Sequence, residues 1–168
     1  MTPAILLLGA VTAERCAELW WDRRNTRILL TKGAREYAPG HYPAIMLLHA
    51  FWLADLWVFA WARPLNGFWF AVFLVLQALR AWILVTLGRR WTTRILVLPD
   101  VPLVTRGPYR FLLHPNYLVV FAEIAVLPLC FDLYWVALFF ASINAFVLRF
   151  RIRAEEAALM PARNVPRV

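Results

Sequence analysis

Two polar stretches carry the side chains that could do chemistry. The first is "TRGPYRFLLHPNYLVV", residues 105–120. Gly107-Pro108 breaks the chain there, and His114-Pro115 breaks it again. Proline pushes the residue before it away from helical angles, so His114 is expected in extended backbone. Irregular backbone near membrane depth is tolerated only where protein buries it or where it lines a wet cavity. The expected cavity wall carries Tyr109, His114, Asn116 and Tyr117. By pattern alone the stretch also reads as an interfacial turn with snorkelling arginines and belt tyrosines. The second stretch is "LRFRIRAEEAAL", residues 148–159. Arg151 and Glu155 stand four apart, on one helical face, and Arg153 and Glu156 three apart, on another. Arginine-first order is the weaker one for helix support. A fixed arginine can hold an anionic group, and a carboxylate can take a proton. The plain alternative is a solvated helix end with ion pairs of small worth.

Other site chemistries find no support. No GxGxxG or P-loop occurs, and His41, His49 and His114 form no zinc spacing, so no metal site is expected. Cys16 and Cys130 make neither a metal spacing nor a disulfide framework. The net charge is +8, which on a soluble chain would raise nucleic acid as a partner. All the basic residues but Arg15, Arg63 and Arg80 instead fall in three segments, 22–42, 89–115 and 149–167, between apolar runs. That is the positive-inside pattern of a membrane protein.

The elements that must position these residues are membrane helices. Of 168 residues, 62% are hydrophobic, and the mean hydropathy is +0.62. The excess lies in runs near the ~20 residues that cross a bilayer. We expect an all-α integral membrane bundle of about five helices, at 3–21, 43–62, 67–88, 116–131 and 133–149. The last two form a hairpin, and the last runs on past the membrane through Arg151 and Glu156. A single domain is expected, with 1–66 as N-terminal helices and basic loop and 67–168 as the core. The N-terminus lacks a basic leader region and reads as a retained helix. Five spans would put the N-terminus outside and every basic segment, with the C-terminus, in the cytoplasm. Glu14, Glu18, Asp55, Glu123 and Asn144 then lie at membrane depth, where ionisable groups are functional hypotheses by default. Glu123 and Asn144 could touch an acceptor head group or hydrogen-bond between helices. His41 and His49 read more simply as interfacial or bundle histidines.

Taken together, Gly107-Pro108-Tyr109-Arg110, His114-Pro115-Asn116-Tyr117, a helical hairpin and Glu155-Glu156 resemble the isoprenylcysteine carboxyl methyltransferase family. "QALRAWILVTLGRRWT" (77–92) also looks like the family, so the resemblance covers roughly 75–160. Leu113 stands where the family usually has arginine, and Val119 where it usually has glycine. The N-terminal half looks like the small bacterial branch often found beside type III polyketide synthases. The resemblance implies a membrane methyltransferase that uses S-adenosylmethionine and a lipid-like, membrane-borne acceptor. That acceptor would be an alkylpyrone, an alkylresorcinol or a prenylated compound, methylated on oxygen. It implies cofactor contacts at Gly107, Pro108, Tyr109, His114, Pro115, Tyr117, Leu118 and Glu156, and catalytic roles for Arg151 and Glu155. A bacterial inner membrane would be its place. A lipid-binding or assembly module on the same scaffold is the reading from another class.

Overall fold

The computed structural model describes residues 2–99 and 101–163, without the side chains of His41 and 161–163. Arg167, counted in the last basic segment, and the side chains of Arg163 and His41 thus lie outside what is described. Five helices carry the fold: α1 (Pro3–Thr31), α2 (Tyr42–Phe59), α3 (Gly67–Leu87), α4 (Pro115–Leu129) and α5 (Tyr134–Arg163). α2, α3 and α5 are long and apolar enough to cross a membrane. α4 is a shorter apolar helix of 15 residues. The protein is an all-α membrane bundle, as its apolar runs require.

Local chemistry sets most helix ends. Thr2 and Asn66 cap α1 and α3 by accepting hydrogen bonds from the backbone N–H groups of Ile5 and Trp69. Gly88, at φ +52°, ends α3, and Pro115 opens α4 where its missing N–H costs nothing. At one end of the bundle the low-charge turns meet. Thr2 donates to the Trp61 carbonyl, and the Asn66 N–H to the Cys130 carbonyl. The basic segments gather at the other end.

α1 departs most from expectation. It continues ten residues beyond the apolar run, through Arg23 and Arg27 to Thr31. Its inward residues follow one 4-3 seam: Ala4, Leu8, Val11, Arg15, Glu18, Asp22, Asn25 and Leu29. The seam is apolar at its N-terminal end, ionic in the middle and polar toward the basic end. In its middle, Arg80 of α3 grips Glu18 with Nε at 2.5 Å and Nη2 at 2.6 Å. Its Nη1 donates to Glu123 of α4 at 2.8 Å, and Arg15 reaches both Glu18 and Glu123. Asp22, further along the same seam, is spent elsewhere. Below this cluster Leu8, Leu56, Phe73, Ile124, Leu127 and Phe131 fill the apolar core.

A small antiparallel strand pair was not expected. β1 (Arg35–Tyr37) pairs with β2 (Ile95–Val97), Glu36 opposite Leu96. Arg94 Nη1 holds both Glu36 carboxylate oxygens at 3.1 Å and lies over the Tyr42 ring. The pair folds the two basic loops onto each other above α5.

Candidate active site

Between β2, the 101–114 loop and α5 lies a cavity of about 820 Å³, within the usual range of small-molecule sites. Ile95, Leu96, Val97 and Val101 give it an apolar side. Tyr109, His114, Asn116 and Tyr117 line it from the loop and the start of α4. Arg151 and Glu155 line it from α5. The two polar stretches, 34 residues apart between Tyr117 and Arg151, therefore meet in one wall.

Their contacts are specific. Arg151 Nε donates to the Tyr117 hydroxyl at 2.8 Å, and its Nη2 donates to the Thr93 carbonyl. The Arg151 guanidinium also lies 5.5 Å from the Tyr117 ring centre. His114 stacks on Tyr117, with ring centres 5.6 Å apart. Its Nε2 lies 3.3 Å from Glu156 Oε1 and its Nδ1 3.6 Å from Glu155 Oε2. The two glutamates thus turn toward the His114 ring. Among the described residues neither Arg151–Glu155 nor Arg153–Glu156 forms an ion pair. Burial, with the nearby Glu155 charge, pushes the Tyr109 hydroxyl well above its usual range. Tyr109 therefore stays neutral and can donate a hydrogen bond, not act as a base.

Two buried polar atoms on this wall have no hydrogen-bond partner: Glu155 Oε2 and Trp91 Nε1. Buried polar atoms are paired in the great majority of cases, so these two stand out on residues that line a cavity. Gly107, Pro108 and Pro115 stand behind the wall. Gly107 takes φ +59°, and a Cβ there would come 2.5 Å from Thr86 Oγ1. Only glycine lets the turn lie this close to α3.

A shallower groove of about 490 Å³ opens between α4 and α5. His114 and Tyr117 border both spaces, and Leu118, Phe121, Leu148 and Ile152 make the groove apolar. Leu118 thus faces the groove. Glu123 is not brought to the cavity; it is 3% exposed inside the ion cluster. Asn144 is buried on α5 with its Nδ2 unpartnered, two turns below Arg151. Asp55 has an unpartnered Oδ2, and His49 Nδ1 makes a hydrogen bond with the Ile45 carbonyl.

Leu29 and Trp91 also line the cavity, and beside it Asp22 and Asn25 of α1 bond the segment that carries Trp91 and Thr93. For the α1 residues the sequence signal is the 4-3 seam, which runs on past the apolar residues.

A family model described as the isoprenylcysteine carboxyl methyltransferase (ICMT) family matches residues 69–161, more than half of the chain. The chain belongs to the isoprenylcysteine carboxyl methyltransferase family. The match runs from α3 into α5 and takes in both polar stretches. The chain is also similar to the Bacillus subtilis (strain 168) protein named "Uncharacterized protein YpbQ". The two are 38% identical over 159 residues, 92% of this chain and 95% of that protein. No solved structure matches. The protein is thus an integral membrane member of a methyltransferase family, and members of this family in general use S-adenosylmethionine.

Proposed function

We propose that the protein transfers a methyl group from S-adenosylmethionine to an oxygen of a lipid-like acceptor drawn from the bilayer. One observation carries this reading: a single wall unites Tyr109, His114 and Tyr117 with Arg151 and Glu155, and leaves Glu155 Oε2 unpaired. The residues fit the cofactor's chemistry. Tyrosine faces and the Glu155 carboxylate suit a sulfonium cation. Arg90, Arg94 and Arg110 line the same cavity and suit a carboxylate. Trp91 Nε1 offers a donor to a purine or a hydroxyl. When bound, the cofactor supplies a methyl group on positively charged sulfur.

The chain's own residues then divide the work. Arg151, braced by Tyr117 and the Thr93 carbonyl, holds the acceptor oxygen with its remaining N–H groups. Glu155 Oε2 takes the proton of a phenol or enol; a carboxylate acceptor needs no base. The apolar groove between α4 and α5 would take the acceptor's tail, with His114 and Tyr117 at the junction. Alkylpyrones, alkylresorcinols and prenylated compounds share this build. Methyl transfer needs water kept from the reacting atoms and those atoms held aligned. The same reading sets the cavity on the cytoplasmic face of a bacterial inner membrane, with the N-terminus outside.

The test is binding of S-adenosylhomocysteine to the purified protein in detergent, followed by thermal melting and titration. A saturable shift is expected at or below millimolar concentration. No signal there would remove the enzyme reading and leave a non-enzymatic module on the same scaffold.

A further inference from the structure

The wall that Arg151 braces does not stand on the family core alone. Residues 88–94 leave α3 as a short strap, one 3₁₀ turn (Gly88–Arg90) and then irregular chain, and this strap carries the Thr93 carbonyl that accepts from Arg151. The strap is fastened on its other side by α1. Asp22 Oδ1 accepts the Thr93 N–H at 2.6 Å. Asn25 Nδ2 donates to the Trp91 carbonyl at 2.8 Å and to the Gly88 carbonyl at 3.1 Å. Both side chains are 1% exposed, and Trp21 packs on Trp91 with ring centres 6.1 Å apart. One turn further, Leu29 lines the cavity itself. All of these α1 residues lie before the segment the family model matches.

A buried carboxylate spent on one backbone N–H is a costly device unless the backbone must be held. The strap has no regular ladder of its own between α3 and β2, so its groups need partners from elsewhere. Asp22 and Asn25 supply them at the residue that Arg151 grips. We infer that Asp22 and Asn25 are positioning residues of the cavity: they fix the strap so that the Thr93 carbonyl holds Arg151 against Tyr117. α1 is then a working part of the site and not only a helix beside it. The inference rests on the methyltransferase reading only for what the cavity holds.

The test uses the full chain in detergent, with Asp22→Ala, Asp22→Asn and Asn25→Ala. Two quantities are measured: native-state hydrogen exchange over 89–96, and S-adenosylhomocysteine affinity. Asp22→Ala is expected to speed exchange of this segment about tenfold or more and to weaken affinity to a similar degree, as loss of a hydrogen bond to a charged group implies. Asp22→Asn keeps an oxygen acceptor in the same place and is expected to stay within about threefold of the parent on both. Asn25→Ala loosens the same segment from its Gly88 end. A role confined to folding would lower the melting temperature but leave exchange and affinity of the folded protein unchanged; that result overturns the inference. So does an Asp22→Asn protein as impaired as Asp22→Ala. Should Asp22→Ala not fold, the Asn25→Ala and Asp22→Asn pair decides alone. A parent chain that gives no S-adenosylhomocysteine signal overturns the methyltransferase reading, while the exchange rates still decide the bracing.

Discussion

In the proposed reaction, Glu155 is the residue on which the chemistry turns. Its Oε2 is buried on the cavity wall, 3.6 Å from His114 Nδ1, with no hydrogen-bond partner. Glu155→Gln keeps the shape and removes the base. Turnover on a phenolic or enolic acceptor is expected to fall by about 10²–10⁴-fold with the melting temperature unchanged, as measured by methyl transfer beside thermal unfolding. Gly107 makes a different kind of demand. Alanine there meets both the φ of +59° and the Thr86 side chain. Gly107→Ala should cost about 1–3 kcal/mol in thermal unfolding, and Thr86→Ala in the same chain should recover only the packing part. Much of this scale was legible. Tyr109, His114, Tyr117, Arg151 and Glu155 could be named from residue type and spacing, because proline breaks and helical periodicity are local signals. The Arg151–Thr93 contact was not legible, because a carbonyl carries no residue identity. The turn of Glu155 and Glu156 toward His114 was hidden as well: periodicity says which residues share a face, not what stands opposite.

Among the elements, α1 changed most between sequence and structure. Glu14, Arg15, Glu18 and Asp22 look like errors in a membrane span when hydropathy alone is summed. The structure resolves them into an ion cluster and a strap anchor, both on one seam. Charges at membrane depth persist when paired inside the bundle. The cluster sets Glu14, Glu18 and Glu123 against Arg15 and Arg80. Removing Arg80 leaves buried carboxylates without their main partner, so Arg80→Ala should lose about 3–5 kcal/mol or fail to fold. Glu123→Gln still accepts from Arg80 Nη1 and removes one surplus negative charge, so it should stay within about 1 kcal/mol of the parent. Equal losses in the two variants, measured by detergent unfolding, would contradict this picture of the cluster. The strand pair of 35–37 with 95–97 was invisible for a related reason. Three-residue strands carry too little alternation to be read, and the pairing joins loops 58 residues apart at Arg94 and Glu36.

For the molecule as a whole, the apolar runs made the five-helix membrane bundle legible, and the basic segments forecast which turns would gather at one end. The cavity sits at that end, between the two basic loops and α5. A cysteine at position 106 should then be labelled from the cytoplasmic side by an impermeant thiol reagent, and one at position 64 from the outside, in a background lacking Cys16. The reverse pattern would turn the proposed orientation over. Cavity and groove meet at His114 and Tyr117, the junction at which the proposed function brings cofactor and acceptor together. The most direct test of that arrangement is transfer of label from methyl-labelled S-adenosylmethionine into organic-extractable lipid, by membranes carrying the parent chain or Glu155→Gln. Label in the lipid fraction that depends on Glu155 is the expected result. A parent chain that binds S-adenosylhomocysteine yet labels no lipid in membranes containing candidate phenolic, enolic and carboxylate acceptors would contradict the account.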